Sequence, residues 1–164
     1  MVFGNKKGNA VIEGITIVVL MFVLAVIGVF SYYTFDQLNT DLQADTEIAQ
    51  ISKNTSQTMY DNHAPLMDNL FMFAFVLFVL FIVVSAFVID EHPIFFFISI
   101  ILLLGVFIVA GIMANAYDDV MQDPEISSYA NEFTYASWVL RHLLELVISI
   151  VFLVSVVLFI KFKT

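Results

Sequence analysis

The sequence predicts an all-α, polytopic membrane protein whose four transmembrane helices form a bundle, and three observations predict it. Of the 164 residues, 61% are hydrophobic and 13% are charged, with a mean hydropathy of +0.96, whereas soluble domains carry about 25% charged residues. Apolar blocks at about 11–33, 70–89, 94–116 and 138–160 each approach the roughly 20 residues that take a helix through a bilayer core of about 30 Å. The two central blocks, LFMFAFVLFVLFIVVSAFVI and IFFFISIILLLGVFIVAGIMANA, are apolar on every side and uncharged. A helix in a soluble domain keeps a polar face for water, so the medium around these two is lipid. The expected organisation is one membrane domain, 1–164, with acidic loops at 34–69 and 117–137.

Composition also excludes. There are no cysteines, hence no disulfides, thiolate metal sites or cysteine nucleophiles. The net charge of -9 with only six Lys and Arg argues against a nucleic-acid partner, because phosphate contacts need clustered cations.

The first block follows the short basic segment MVFGNKKGN and is too long for the apolar region of a signal peptide, so a retained helix is expected. Lys6-Lys7-Gly8 followed by Asn9-Ala10-Val11-Ile12-Glu13 resembles the type IV prepilin signal. That resemblance implies cleavage after Gly8 and Glu13 as the assembly glutamate. It covers residues 6 to 32; three further apolar blocks then stand where a pilin has a soluble head.

Beyond the Tyr32-Tyr33 pair, suited to a membrane interface, Phe35, Leu38, Leu42 and Ala49 recur at helical spacing among Asp and Gln. The first helix is therefore expected to leave the membrane as an amphipathic extension ending near Ile51. The run Ser52 to Gln57 reads as a turn, and His63-Ala64-Pro65 as extended chain, since the residue before proline avoids the α region. The central helices are joined by Asp90-Glu91-His92-Pro93. The second loop holds Asp118, Asp119, Asp123, Glu125 and Glu132, with aromatics placed to lie along the membrane surface.

Four crossings put both termini on one side. Lys6, Lys7, Lys161 and Lys163 then share that side, which the positive-inside rule makes cytoplasmic.

Polar groups inside a bilayer are expensive, about 2.5–3.5 kcal/mol at a helix centre, and mark candidate sites. Glu13, Arg141, His142 and Glu145 are the candidates for intramembrane polar or partner contacts. Arg141 and Glu145 are four apart, so one continuous helix would pair them on one face; placed near the interface, all four can instead reach headgroups or water. The histidines His63, His92 and His142 lie on separate segments without metal-ligand spacing, and Asp118, Asp119 and Asp123 lack an EF-hand pattern. No phosphate loop or nucleophile elbow is present. No enzyme, cofactor or metal site is expected.

Close helix approach in lipid uses small residues. Gly105, Ala110, Gly111 and Ala114 nominate the third helix for the centre, with Gly14, Ala25 and Gly28 on the first; the Phe-rich second helix should face lipid. The expected function is a non-catalytic scaffold or accessory subunit of a multi-subunit membrane complex or membrane-containing virion. Its partners would be the bilayer and other membrane or shell proteins, with a homo-oligomer open. The alternative is an oligomeric channel, holin-like permeabiliser or ion-coupled transporter using Arg141, Glu145 and Glu13; no paired broken-helix repeat supports a transporter.

Overall fold

A computed structural model of the chain describes residues 10–88 and 93–163, with side chains placed for 15–84, 104–157 and 160. The described chain is helical, in the order α1 (Ala10–Ala44), α2 (Gln50–Val88), α3 (Pro93–Met121), α4 (Ser127–Ala130), α5 (Thr134–Arg141) and α6 (Leu143–Lys163). Three of these helices are long and apolar enough to cross a membrane, and the pair α5 and α6 supplies a fourth if the two count as one bent span.

The four long helices form a bundle in which α1 packs on α2 and α3, and α6 closes the ring against the same two. Spacings of three and four residues create the inward faces. On α1, Val18, Met21, Ala25, Val29 and Tyr32 are buried, and on α3 the stripe is Val106, Ala110, Tyr117 and Met121. Leu20, Leu24, Ile27, Phe73, Phe81, Ile108 and Phe152 point outward, as side chains facing lipid must.

Over the described spanning windows 33% of α1 is buried, 22% of α3 and 11% of α2. Within those windows the Phe-rich α2 is the least buried, and α1 rather than α3 is the most buried. The nominated small residues explain why. Ala110 is fully buried and Ala114 packs against the core, yet a Cβ at Gly105 or Gly111 would meet nothing within 4 Å. Those two glycines stand off the α3 stripe. The close approach is at Gly28 on α1, where a Cβ would lie 3.2 Å from the Phe133 ring.

Three expectations for the first loop need correction. α1 does leave the apolar zone as a helix, but it ends at Ala44 rather than near Ile51, and Ala49 falls in the turn. Asp45 makes that turn, its Oδ1 accepting the Glu47 amide at 2.7 Å. Ser52 to Gln57 is helical, as is His63-Ala64-Pro65. The side chains that favour turns satisfy this helix instead: Thr55, Thr58 and Asn62 each donate to the carbonyl four residues back. Pro65 removes one amide donor, yet α2 continues through it, with Ala64 beside it buried in the bundle.

The last apolar block is also not one rod. α5 and α6 meet at His142 with a bend of 70°. α5 buries Ala136, Val139 and Leu140 and exposes Tyr135 and Trp138.

Candidate functional site

Outside the spanning segments the chain builds a head from the end of α1, the first 20 residues of α2, α4 and α5. Its central seam, between α1 and α2, is polar. Asn39, 5% exposed, accepts from Ser56 Oγ at 2.8 Å and donates to Gln57 Oε1 at 2.9 Å. One turn further out, Gln43 Nε2 donates to the Lys53 carbonyl and Lys53 Nζ to the Gln43 carbonyl, at 2.9 and 2.7 Å. Buried amides and hydroxyls of this kind are tolerated only when paired, and among the described residues no buried side-chain polar atom lacks a partner.

Toward the membrane the seam becomes aromatic. Tyr60 stacks on Tyr32, Tyr32 on His63 and His63 on Phe35, with centroids 5.0, 6.0 and 5.5 Å apart and planes within 15°. The rings alternate between the two helices, so they fix the register of α1 against α2. Ser31 donates its hydroxyl to the Gly28 carbonyl at 2.8 Å. The same hydroxyl oxygen lies 3.0 Å from His63 Nε2, so Ser31 links the His63 ring to α1. Tyr129 and Phe133 meet the same stack edge-on, Tyr32 being 5.9 and 6.0 Å from them.

Two carboxylates tie the second loop to this seam. Asp36 Oδ2 accepts the Tyr129 hydroxyl at 2.7 Å. Asp68, 5% exposed, accepts the Tyr135 amide on Oδ2 at 2.9 Å and the Ala136 amide on Oδ1 at 2.8 Å. These are amides of the first turn of α5, whose own N-cap, Phe133, has no side chain able to bond them. Asp68 thus caps α5 from another helix. Tyr117, fully buried, bonds Ser137 at 2.9 Å and fastens α3 to α5.

The hydrogen bond to Asp36, followed by partial burial, pushes the Tyr129 hydroxyl up to about 12. A raised value stabilises the fold below the unfolded tyrosine value near 10 and loses that contribution as pH rises toward 12. Wild type and Tyr129→Phe, compared by thermal unfolding in nanodiscs, should therefore differ most below pH 10 and converge above it. A constant difference across that range would show that Asp36 does not hold this proton.

The residues nominated from sequence are dispersed. The Glu13 side chain lies outside the described residues, as do Lys6, Lys7, Gly8 and His92. Arg141 does not pair with Glu145, because the helix breaks between them; its Nε lies 3.3 Å from Asp118, both side chains being about half exposed. Such a pair is worth about 0–1 kcal/mol. His142 donates Nδ1–H to the Trp138 carbonyl at 2.9 Å and stacks on the Trp138 ring. Glu145 is exposed in the first turn of α6, where the helix dipole favours a negative charge. Asp118, Asp119 and Asp123 do not converge, and among the described residues no group of three acids or histidines could hold a metal.

The surface of the head is acidic and partly apolar. Eleven of the 15 acidic residues lie in 34–69 and 117–137, where Lys53 is the one Lys or Arg, with Arg141 just beyond the second range. Between α1 and α2 a shallow groove of about 370 Å³ is lined by Phe35, Leu42, Ile51, Thr55 and Met59. Reasoning from sequence missed Asp68, Asn39 and this groove; a lone acid at the mouth of an apolar block was the one available sign of Asp68.

No family model matches the chain, and neither a curated protein nor a solved structure matches it. Fold and site together define a class: a helical bundle apolar enough to span a membrane, carrying an acidic helical head.

Proposed function

We propose that the protein is a non-catalytic integral membrane scaffold or accessory subunit of a larger assembly, such as a multi-subunit membrane complex or a membrane-containing virion. The observation that supports this reading is how the head uses its residues. Asn39, Gln43, Ser56 and Asp68 are spent on internal bonds, while Leu38, Leu42, Ile51 and Met59 are left on its surface. A rigid platform with apolar side chains outward suits docking. In this reading both termini, with Lys6, Lys7, Lys161 and Lys163, lie in the cytoplasm or particle interior, and the head lies on the opposite side.

Gentle extraction from the native membrane or particle, followed by native mass spectrometry, tests the proposal. Fixed stoichiometry with different proteins is the expected result. Recovery of the chain alone, or as a closed homo-oligomer, would overturn it in favour of a channel. As a second readout, Arg141→Ala and Glu145→Ala should leave ion flux through reconstituted liposomes unchanged; a flux that these substitutions alter would also overturn the scaffold reading.

A further inference from the structure

The α1 extension carries its apolar residues on the wrong side for a self-sufficient hairpin. Leu38 and Leu42 are 54% and 37% exposed, and opposite them on α2 Ile51 and Met59 are 76% and 58% exposed. The seam between the helices is filled by Asn39, Gln43, Lys53 and Ser56 instead. Lipid does not account for this face, because Asp41 on α1, Lys53 on α2 and Asp45 and Glu47 in the turn that joins them flank the same apolar residues. An apolar groove held in water marks a binding surface.

We propose that this groove docks a cationic amphipathic helix of a partner protein. Charge selects that occupant. The head holds eleven acids, and its two cations are engaged, Lys53 with the Gln43 carbonyl and Arg141 with Asp118. A second copy of the chain would set one acidic surface against another, whereas Lys or Arg flanking an apolar stripe complements Asp41, Asp45 and Glu47 around apolar Leu42, Ile51 and Met59. Size agrees with a short helix. Ile51 to Met59 spans about 12 Å of α2 at about 1.5 Å per residue, which accommodates two or three apolar anchors at i, i+3 or i+4, and i+7. The inference rests on the scaffold reading and names the chemistry of one partner.

The test uses the full chain in zwitterionic nanodiscs, with empty discs subtracted. The probes are three synthetic 14-residue peptides: Leu/Lys with a helical apolar stripe, its Leu/Glu counterpart, and a Leu/Lys scramble without the stripe. The striped Leu/Lys peptide should bind, at least tenfold more tightly than either control. Ile51→Ser with Met59→Ser should weaken it about tenfold or more, and Asp41→Asn with Glu47→Gln should weaken it less while flattening its salt dependence. These side chains are exposed, so far-UV dichroism and thermal unfolding should match the parent. No binding, equal binding of the scramble, or indifference to Ile51 and Met59 would overturn the proposal. So would a dimer that disappears in the Ile51/Met59 variant, since it would make a second copy the occupant. If the native assembly is found but survives these substitutions, this inference fails and the scaffold reading stands; if there is no assembly, the scaffold reading fails.

Discussion

Replacing Asp68 by alanine should release α5 from the bundle, at a cost of about 2–4 kcal/mol to the closed head. The carboxylate accepts two amides at 2.9 and 2.8 Å in a site where Asp68 is 5% exposed. Removing it strands two donors that the preceding residue, Phe133, cannot satisfy, and each buried unpaired group costs about 1–3 kcal/mol. Hydration of the loosened helix end recovers part of that, which holds the upper figure to about 4 rather than about 6 kcal/mol. Amide exchange at Tyr135 and Ala136 should accelerate roughly 30- to 700-fold, the same free energy expressed as an opening equilibrium. Asp68→Asn should fall between, because its carbonyl oxygen still accepts one amide while its NH2 faces the other. Protection unchanged at both amides in Asp68→Ala would mean that α5 is held by Ala136, Val139 and Leu140 packing alone.

This capping contact also marks how far the sequence could be read. Apolar length and the absence of a polar face settle which segments suit lipid, because they depend only on neighbouring residues. Asp68 works through amides 67 and 68 positions away, and no periodicity encodes that. Local rules failed where tertiary partners outbid them. Ser52 to Gln57 and Pro65 have turn and breaker chemistry, but Ser56, Gln57 and Lys53 find partners on α1 that exist only if α2 is helical there. The opposite failure occurs at Arg141 and Glu145. Their spacing predicts a pair on one continuous helix, and the chain bends 70° at His142, with Asp118 taking Arg141 and α6 beginning afresh at Leu143. Glycine spacing misled in the same way. It nominated Gly105 and Gly111 along with Ala110, Ala114 and Gly28, and only the contacts of the folded bundle separate the position that admits an aromatic ring from another segment, Gly28, from the two glycines with nothing over them.

The inverted polarity of the α1–α2 hairpin and the Asp68 cap reinforce one another. A seam of amides and hydroxyls fixes register through directional bonds where apolar packing would allow sliding. The stacked rings of Tyr60, Tyr32, His63 and Phe35 extend the same register to the membrane boundary. Asp36 and Asp68 then hold the second loop against that fixed edge, so the head presents one surface.

The point where that surface meets the spanning bundle is Gly28 against Phe133, and the second large effect is expected there. Phe133 is 1% exposed and its Cε1 would sit 3.2 Å from a Cβ on residue 28. Gly28→Ala should be near neutral. The ring must yield a few tenths of an ångström, but alanine gains up to about 1 kcal/mol over glycine within a helix. Gly28→Leu cannot be absorbed so cheaply and should cost about 1–3 kcal/mol by overpacking. Phe133→Ala removes a buried ring and should cost about 3–5 kcal/mol through lost burial and a cavity. Combined, the two should cost less than their sum by about 1–2 kcal/mol, since the leucine side chain enters the volume the ring vacates and contacting sites couple on this scale. Thermal unfolding of the four proteins in nanodiscs measures that coupling. Strict additivity would mean that the Phe133 ring does not occupy the space over Gly28, and the head would then be hinged to the bundle rather than seated in it.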